Sequence, residues 1–200
     1  MPRESMDAFK ISVKLYVEEA GGANHAQFVP IFHSWIQSHA VAEHTLIDVA
    51  DYAQVHNGPG VVLIAHEANF YLDQLDGFLG FTYSRKQPAA GTFADRLRQA
   101  VAAAIAGAQR LQQEMNLKFR SNEIAIKLND RLLAPNTSQT FEQIRGDLEQ
   151  LASQLWPGAN VDIEHIPSEL TLFEVRLRSD QSPYLPTLAN RLESEPAPSR

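Results

Sequence analysis

The segment Val61-Val62-Leu63-Ile64-Ala65, entered through His56-Asn57-Gly58-Pro59-Gly60, constrains this chain more than any other stretch. It is an unbroken apolar run rich in β-branched residues, bounded by Gly and Pro before it and by His66-Glu67 after it. Such a run reads as a strand buried on both faces, so every flanking element has to supply cover. The Asn57-Gly58 pair carries the positive φ angles of a two-residue hairpin turn, which makes Thr45 to Asp51 an antiparallel partner; Pro59 directly after it also allows a looser loop. Downstream the strand is expected to run on through Phe70 and Leu72 to Leu75. There Asp76-Gly77 marks a second hairpin, returning through Phe78 to Tyr83. Residues 45 to 85 thus read as a three-stranded antiparallel meander.

On either side of this meander the hydrophobic period changes with the element. Phe9, Ile11, Val13, Leu15 and Val17 alternate with Lys10, Ser12, Lys14 and Tyr16, the period of a strand with one buried and one wetter face. A helix follows from His25 or Val29 to His39, and Pro30 argues for the later start because proline is best tolerated in a first turn. Thr92 with Asp95 opens a long helix over 92–115, with Leu97, Val101, Ile105, Ala108, Leu111 and Met115 at helical spacing. Its alanines and Gly107 leave a smooth stripe suited to close packing. Beyond it come a strand at Ile124 to Leu128, a helix over Thr140 to Trp156, strands at Val161 to Ile166 and Leu170 to Arg178, and a short docked helix at Leu185 to Leu192.

The expected fold is therefore α+β, with a mainly antiparallel sheet of about six or seven strands and three main helices. Residues 9–178 form a single domain in which β-α-β-β halves, about 9–85 and 122–178, flank the 92–115 helix as a candidate duplication. Residues 1–8 are a short flexible leader without the apolar run of a secretory signal. Residues 179–200 are a tail whose proline-rich end is expected to lack structure. No stretch approaches the ~20 apolar residues of a membrane span, so the chain is expected to be soluble and cytoplasmic.

Charge and residue usage exclude several chemistries. With no cysteine there is no disulfide framework, thiolate nucleophile or cysteine-held metal. Between Leu15 and Ser84 there is no Lys or Arg, against Glu18, Glu19, Glu43, Asp48, Asp51, Glu67, Asp73 and Asp76. The same third holds His25, His33, His39, His44, His56 and His66. A surface of that composition repels a phosphate backbone, so nucleic acid is not an expected partner. Phosphate-loop, dinucleotide and nucleophile-elbow motifs are all missing, and His33 and His39 stand six apart rather than at the three or four that aligns two metal ligands on a helix. The segment Asn129 to Asn136 is a polar turn.

A two-residue turn at Asn57-Gly58 would set Asp48 opposite Glu67, with Asn69 on the same face. Two carboxylates across a ladder repel unless they share a proton, are solvated or bind a cation. Asp48, Glu67 and Asn69 are therefore the first candidate cluster, suited by their oxygen ligands to a divalent metal such as Mg²⁺ or Mn²⁺. His66 points to the opposite face from Glu67, at the edge of the expected core.

In element order, the paired β-α-β-β layout resembles the vicinal oxygen chelate superfamily, although the second half lacks the last strand. The resemblance implies a small metal-dependent enzyme holding a divalent ion with His and Glu from both halves, for which His66, Glu67 and His165 are the residues available. The residues themselves favour a soluble binding or interaction protein, with a protein partner or a homodimer, whose acidic, histidine-rich third recognises a cation or a basic partner.

Overall fold

The computed structural model describes residues 6–20, 25–41, 43–56, 58–165 and 167–193. In chain order the elements are β1 (Ile11–Glu19), α1 (His25–Ser38), β2 (Leu46–Tyr52), β3 (Gly60–Ala65), β4 (Ala68–Asp73), β5 (Gly80–Arg85), α2 (Phe93–Glu114), β6 (Lys118–Leu128), α3 (Ser138–Leu155), β7 (Val161–His165), β8 (Phe173–Ser179) and α4 (Leu185–Glu193). The fold is α+β, with eight strands in one antiparallel sheet of order β2-β3-β4-β5-β1-β6-β8-β7 and four helices among the described residues, close to the six or seven strands and three main helices expected. Strands β1 and β6 are neighbours at its centre. Each is followed by a helix and then by a meander that starts at an outer edge and works back, through β2 to β5 on one side and through β7 and β8 on the other.

Strand alternation sorts the residues onto two faces. Ile11, Val13 and Leu15 of β1, Leu63 of β3, Phe70 of β4, Phe81 of β5, Ile126 of β6 and Val175 of β8 join the buried residues of all four helices in one hydrophobic cluster. All four helices therefore cover the same face. The long helix α2 starts at a capping box in which Thr92 and Asp95 satisfy each other's backbone N–H groups. It lies so close to the sheet that Gly107 meets the ring of Phe81. Trp35 of α1 packs on Phe32 and Phe81 and donates its indole N–H to the Glu114 carboxylate of α2 at 2.7 Å.

Several boundaries differ from those the periodicity predicts. The apolar run does not continue to Leu75: β3 ends at Ala65 and the chain reverses through His66-Glu67, so that Ile64 pairs with Asn69 and the meander has four strands. No Gly or Asn marks this turn. Its polar groups are satisfied from elsewhere, since His66 N–H donates to the Thr45 carbonyl and the Glu67 carbonyl accepts from Lys86 and Gln87. Asn57 lies outside the described residues, and the β2–β3 connection is longer than a two-residue turn, with Tyr52 paired to Gly60. Gly60 has φ +69, and a Cβ there would collide with the carbonyl oxygen of Leu72. Helix α1 begins at His25, with Pro30 inside it. The packed chain also begins earlier than a leader through residue 8 implies: Met6 and Ala8 are buried, and Arg96 donates to the Met6 carbonyl at 2.9 Å. The end of the tail, 194–200, lies outside the described residues. No helix among the described residues is long and apolar enough to cross a membrane.

Candidate functional site: a cup on the helix-free face of the sheet

The sheet face turned away from the helices carries the alternate residues, among them Ser12, Lys14 and Tyr16 of β1, Tyr71 and Asp73 of β4, and Thr82 and Ser84 of β5. A face without a helix layer is ordinarily wet. Here Ser12, Lys14 and Asp73 are only 7%, 8% and 4% exposed. A buried polar group is the informative exception to the usual pattern, and the connection between β4 and β5, residues 74–79, accounts for much of it by folding back across the face.

Lys14 fastens that connection. Its ammonium donates to Asp73 Oδ1 at 2.8 Å, to Asp76 Oδ1 at 2.6 Å and to the Phe78 carbonyl at 2.9 Å, which uses all three of its protons. The second oxygen of Asp73 accepts from the Thr82 hydroxyl at 2.8 Å. Burial works against the Asp76 carboxylate, but its hydrogen bond and attraction to Lys14, with the Phe78 N–H, outweigh it and hold the pKa below the usual aspartate value. Tyr16 lies beneath the connection, edge-on to Phe78 at 6.2 Å, with the Lys14, Arg120 and Arg176 cations within 5.9 Å of its ring. Burial, reinforced by the Asp76 carboxylate, pushes its phenol far above the usual range.

Beside this ionic knot is a neutral cluster. Ser12 Oγ donates to Ser84 Oγ at 2.7 Å, and Asn129, from the polar turn after β6, donates to Ser12 Oγ at 2.6 Å. The two clusters border a cavity of about 360 Å³ whose other walls include Pro59, Leu75, Tyr71 and Leu172. Lys127 and Glu174, paired at 3.0 Å, also line it. Two lysines face three carboxylates, so the lining carries one net negative charge. The Tyr71 hydroxyl accepts from Asn69 at 2.9 Å and keeps its own proton to donate. The cup therefore combines apolar walls, neutral hydroxyl and amide groups, and charges neutralised in place. Among the described residues that line it there is no histidine beside either serine.

The residues singled out from sequence are placed elsewhere. Asp48 is exposed and lies opposite Ile64, not Glu67, with its carboxylate accepting the Val49 N–H at 2.8 Å. Asn69 pairs with the same Ile64 from the other side. The change of register follows from the longer β2–β3 connection and an irregularity between Leu46 and Asp48. Glu67 sits in the β3–β4 turn, where its carboxylate accepts the Thr45 N–H at 2.8 Å; that bond, first among several, lowers its pKa. His66 is exposed in the same turn. His165 is in β7 at the opposite edge of the sheet, 2.7 Å from Asn136 Oδ1 and stacked between Phe141 and Phe173, and burial lowers its pKa.

Strands β5, β1, β6 and β8 separate β4 from β7. At ~4.8 Å per strand, His165 is more than ~20 Å from Glu67 and His66, too far to share an ion with them. Among the described residues no three His, Asp or Glu side chains gather as a metal-holding group. The cup residues follow no short motif; the only sequence signal for them is the polar half of the β1 alternation, Ser12, Lys14 and Tyr16. No family model, curated protein or solved structure compared with this chain matches it.

Proposed function

We propose that this chain is a non-catalytic small-molecule-binding protein, and that its ligand is a compact, partly apolar molecule, neutral or singly cationic, held in the cup on the helix-free sheet face. The observation that carries the reading is the burial of Lys14, Asp73 and Ser12 around a cavity on a face that no helix covers. A volume of about 360 Å³ falls in the lower part of the range for small-ligand sites, ~300–1,000 Å³. The net negative lining disfavours anions. Spare hydrogen-bonding capacity at Tyr71, Ser84 and Asn129 supplies orientation, while Leu75 and Leu172 supply apolar contact.

A thermal-shift screen against neutral, cationic and anionic metabolites tests this directly. A ligand at about 100 times its Kd should stabilise the protein by ~2.7 kcal/mol, a rise of roughly 5–10 °C for a chain of this size. Ala125→Phe, which fills the cup from β6, should abolish the rise. The reading fails if no neutral or cationic compound stabilises the protein, or if the filled variant responds as the parent does.

A second reading, protein docking, is favoured by the exposed Tyr52 at the end of β2 and Val55, Leu75 and Phe78 on the two adjoining connections. Light scattering that finds a dimer broken by Leu75→Asp would support it, and a monomer at all concentrations would count against it.

A further inference from the structure

A second cavity, of about 650 Å³, lies on the helix side of the sheet. It is bounded by the α1–β2 connection, β5, one face of α2 and the end of α4. Its floor is the small-residue stripe Ala102, Ala103, Ala106 and Gly107, and Arg98 and Arg110 also line it. Positions 98, 102, 106 and 110 stack on one helix face, which sets the two arginines about 18 Å apart along the trough. Tyr83, Arg85 and His44 form the facing wall.

The three guanidinium groups are not equally engaged. Arg110 is paired with Glu114 at 2.8 Å, and Arg98 donates to the Leu192 carbonyl at 3.0 Å. Arg85 forms no ion pair among the described residues; its guanidinium hydrogen-bonds the neutral Tyr83 hydroxyl, and its Nε has no hydrogen-bond partner. The same holds for Nδ1 of His44, whose Nε2 lies 3.2 Å from the Tyr83 hydroxyl. Glu43 and Glu193 reach the cleft from exposed rims. Glu43 and Glu67 are close enough to act on the Tyr83 phenol to which Arg85 is hydrogen-bonded, and neither acid forms an ion pair with Arg85 among the described residues. A half-buried guanidinium whose partner is a neutral phenol and which has no counter-charge keeps donor capacity on its terminal nitrogens that an oxyanion entering the cleft satisfies. The alanine floor offers nothing to a charge but fits an alkyl or ring body.

We propose that this cleft binds a small amphiphilic oxyanion, its carboxylate or phosphate seated on Arg85 beside Tyr83 and His44 and its apolar body lying along the alanine floor of α2. The site is on the opposite side of the sheet from the cup and stands or falls independently of it. Calorimetric titration of the full chain at low salt with hexanoate, hexyl phosphate and inorganic phosphate tests it. Either or both alkyl probes should bind saturably, at least about tenfold more tightly than inorganic phosphate; the tighter of the two identifies the head group. Arg85→Gln should weaken the alkyl probes by about tenfold or more, as expected for losing a charge-assisted contact.

Ala106→Trp fills the trough without touching Arg85, and decides the matter if the Arg85 variant fails to fold. It should weaken the alkyl probes by a similar factor. Absence of saturable binding by both alkyl probes up to about 10 mM, binding no tighter than that of inorganic phosphate, or parental affinity in either folded variant would overturn the proposal.

Discussion

Replacing Lys14 by methionine is the sharpest test of how the cup is held together. The Lys14 side chain is 9% exposed, and those of Asp73 and Asp76 are 5% and 15%, so the substitution leaves two shielded carboxylates without their shared cation. Removing one partner from a buried ion pair typically costs ~3–5 kcal/mol, a large fraction of the ~5–15 kcal/mol that stabilises a typical domain. Thr82 and the backbone N–H groups of Leu75 and Phe78 still contact the acids, which places the expected loss toward the lower end of that range. Urea unfolding followed by the fluorescence of the buried Trp35 and Trp156 reads it out.

Two further outcomes separate this explanation from simple loss of packing. Lys14 is what outweighs burial at Asp76, so without it the Asp76 carboxylate binds a proton more readily in the folded variant than in the folded parent, and lowering the pH from 7 to 5 should recover part of the deficit relative to the parent. The triple variant Lys14→Met, Asp73→Asn, Asp76→Asn should return to within ~1–2 kcal/mol of the parent, because no unpaired charge remains. A single-variant loss below ~1 kcal/mol, or a triple variant no better than the single, would refute the assignment of Lys14 as the fastening of the β4–β5 connection.

Other perturbations follow from the same structure. Gly107→Ala gains ~1 kcal/mol of helix propensity but drives a methyl group into Phe81, a conflict that commonly costs ~1–3 kcal/mol; net destabilisation is expected, reduced in combination with Phe81→Leu, and a more stable single variant would disprove the close contact. Thr92→Ala removes the capping box of α2 and should cost ~1 kcal/mol in urea unfolding; no change would show that the cap is not needed. His44 and His165 have pKa values lowered mainly by burial, so the unfolded chain binds protons first as the pH falls through ~6.5. Their contribution is present at neutral pH and is lost from there downward until the folded rings also protonate. Urea midpoints should therefore decline between pH 7.5 and 5, less steeply in His165→Gln, and an unchanged slope in that variant would remove His165 from the account.

Element type and helix caps were legible in the chain because they depend on neighbours a few residues apart. The alternation from Phe9 to Val17, the Thr92-Asp95 signal and the heptad-like spacing from Leu97 to Leu111 each specify a local conformation and a buried face, and from those an α+β antiparallel fold follows. Turns closed by distant partners are different. Nothing between Ala65 and Ala68 announces a reversal, since its polar groups are satisfied by Thr45, Lys86 and Gln87 from other elements. A strand read through that point has the wrong partner beyond it, while the pairing of Asp48 with Glu67 fails for a separate reason, because the β2–β3 connection is longer than the two-residue turn that Asn57-Gly58 suggests.

The cup was hidden for a related reason. Strand alternation put Ser12, Lys14 and Tyr16 together on one face, as the structure does, but it read that face as the wetter one; all three are buried, because the folded chain brings residues 73–78 over them and Asn129 beside them. The sequence also shows a third of the chain without a basic residue, whereas tertiary structure gives Asp73 and Asp76 the cation that immediately precedes that third, Lys14. Local patterns determine which side of an element is polar; whether that side meets water, an ion pair or a ligand depends on contacts made across the whole chain.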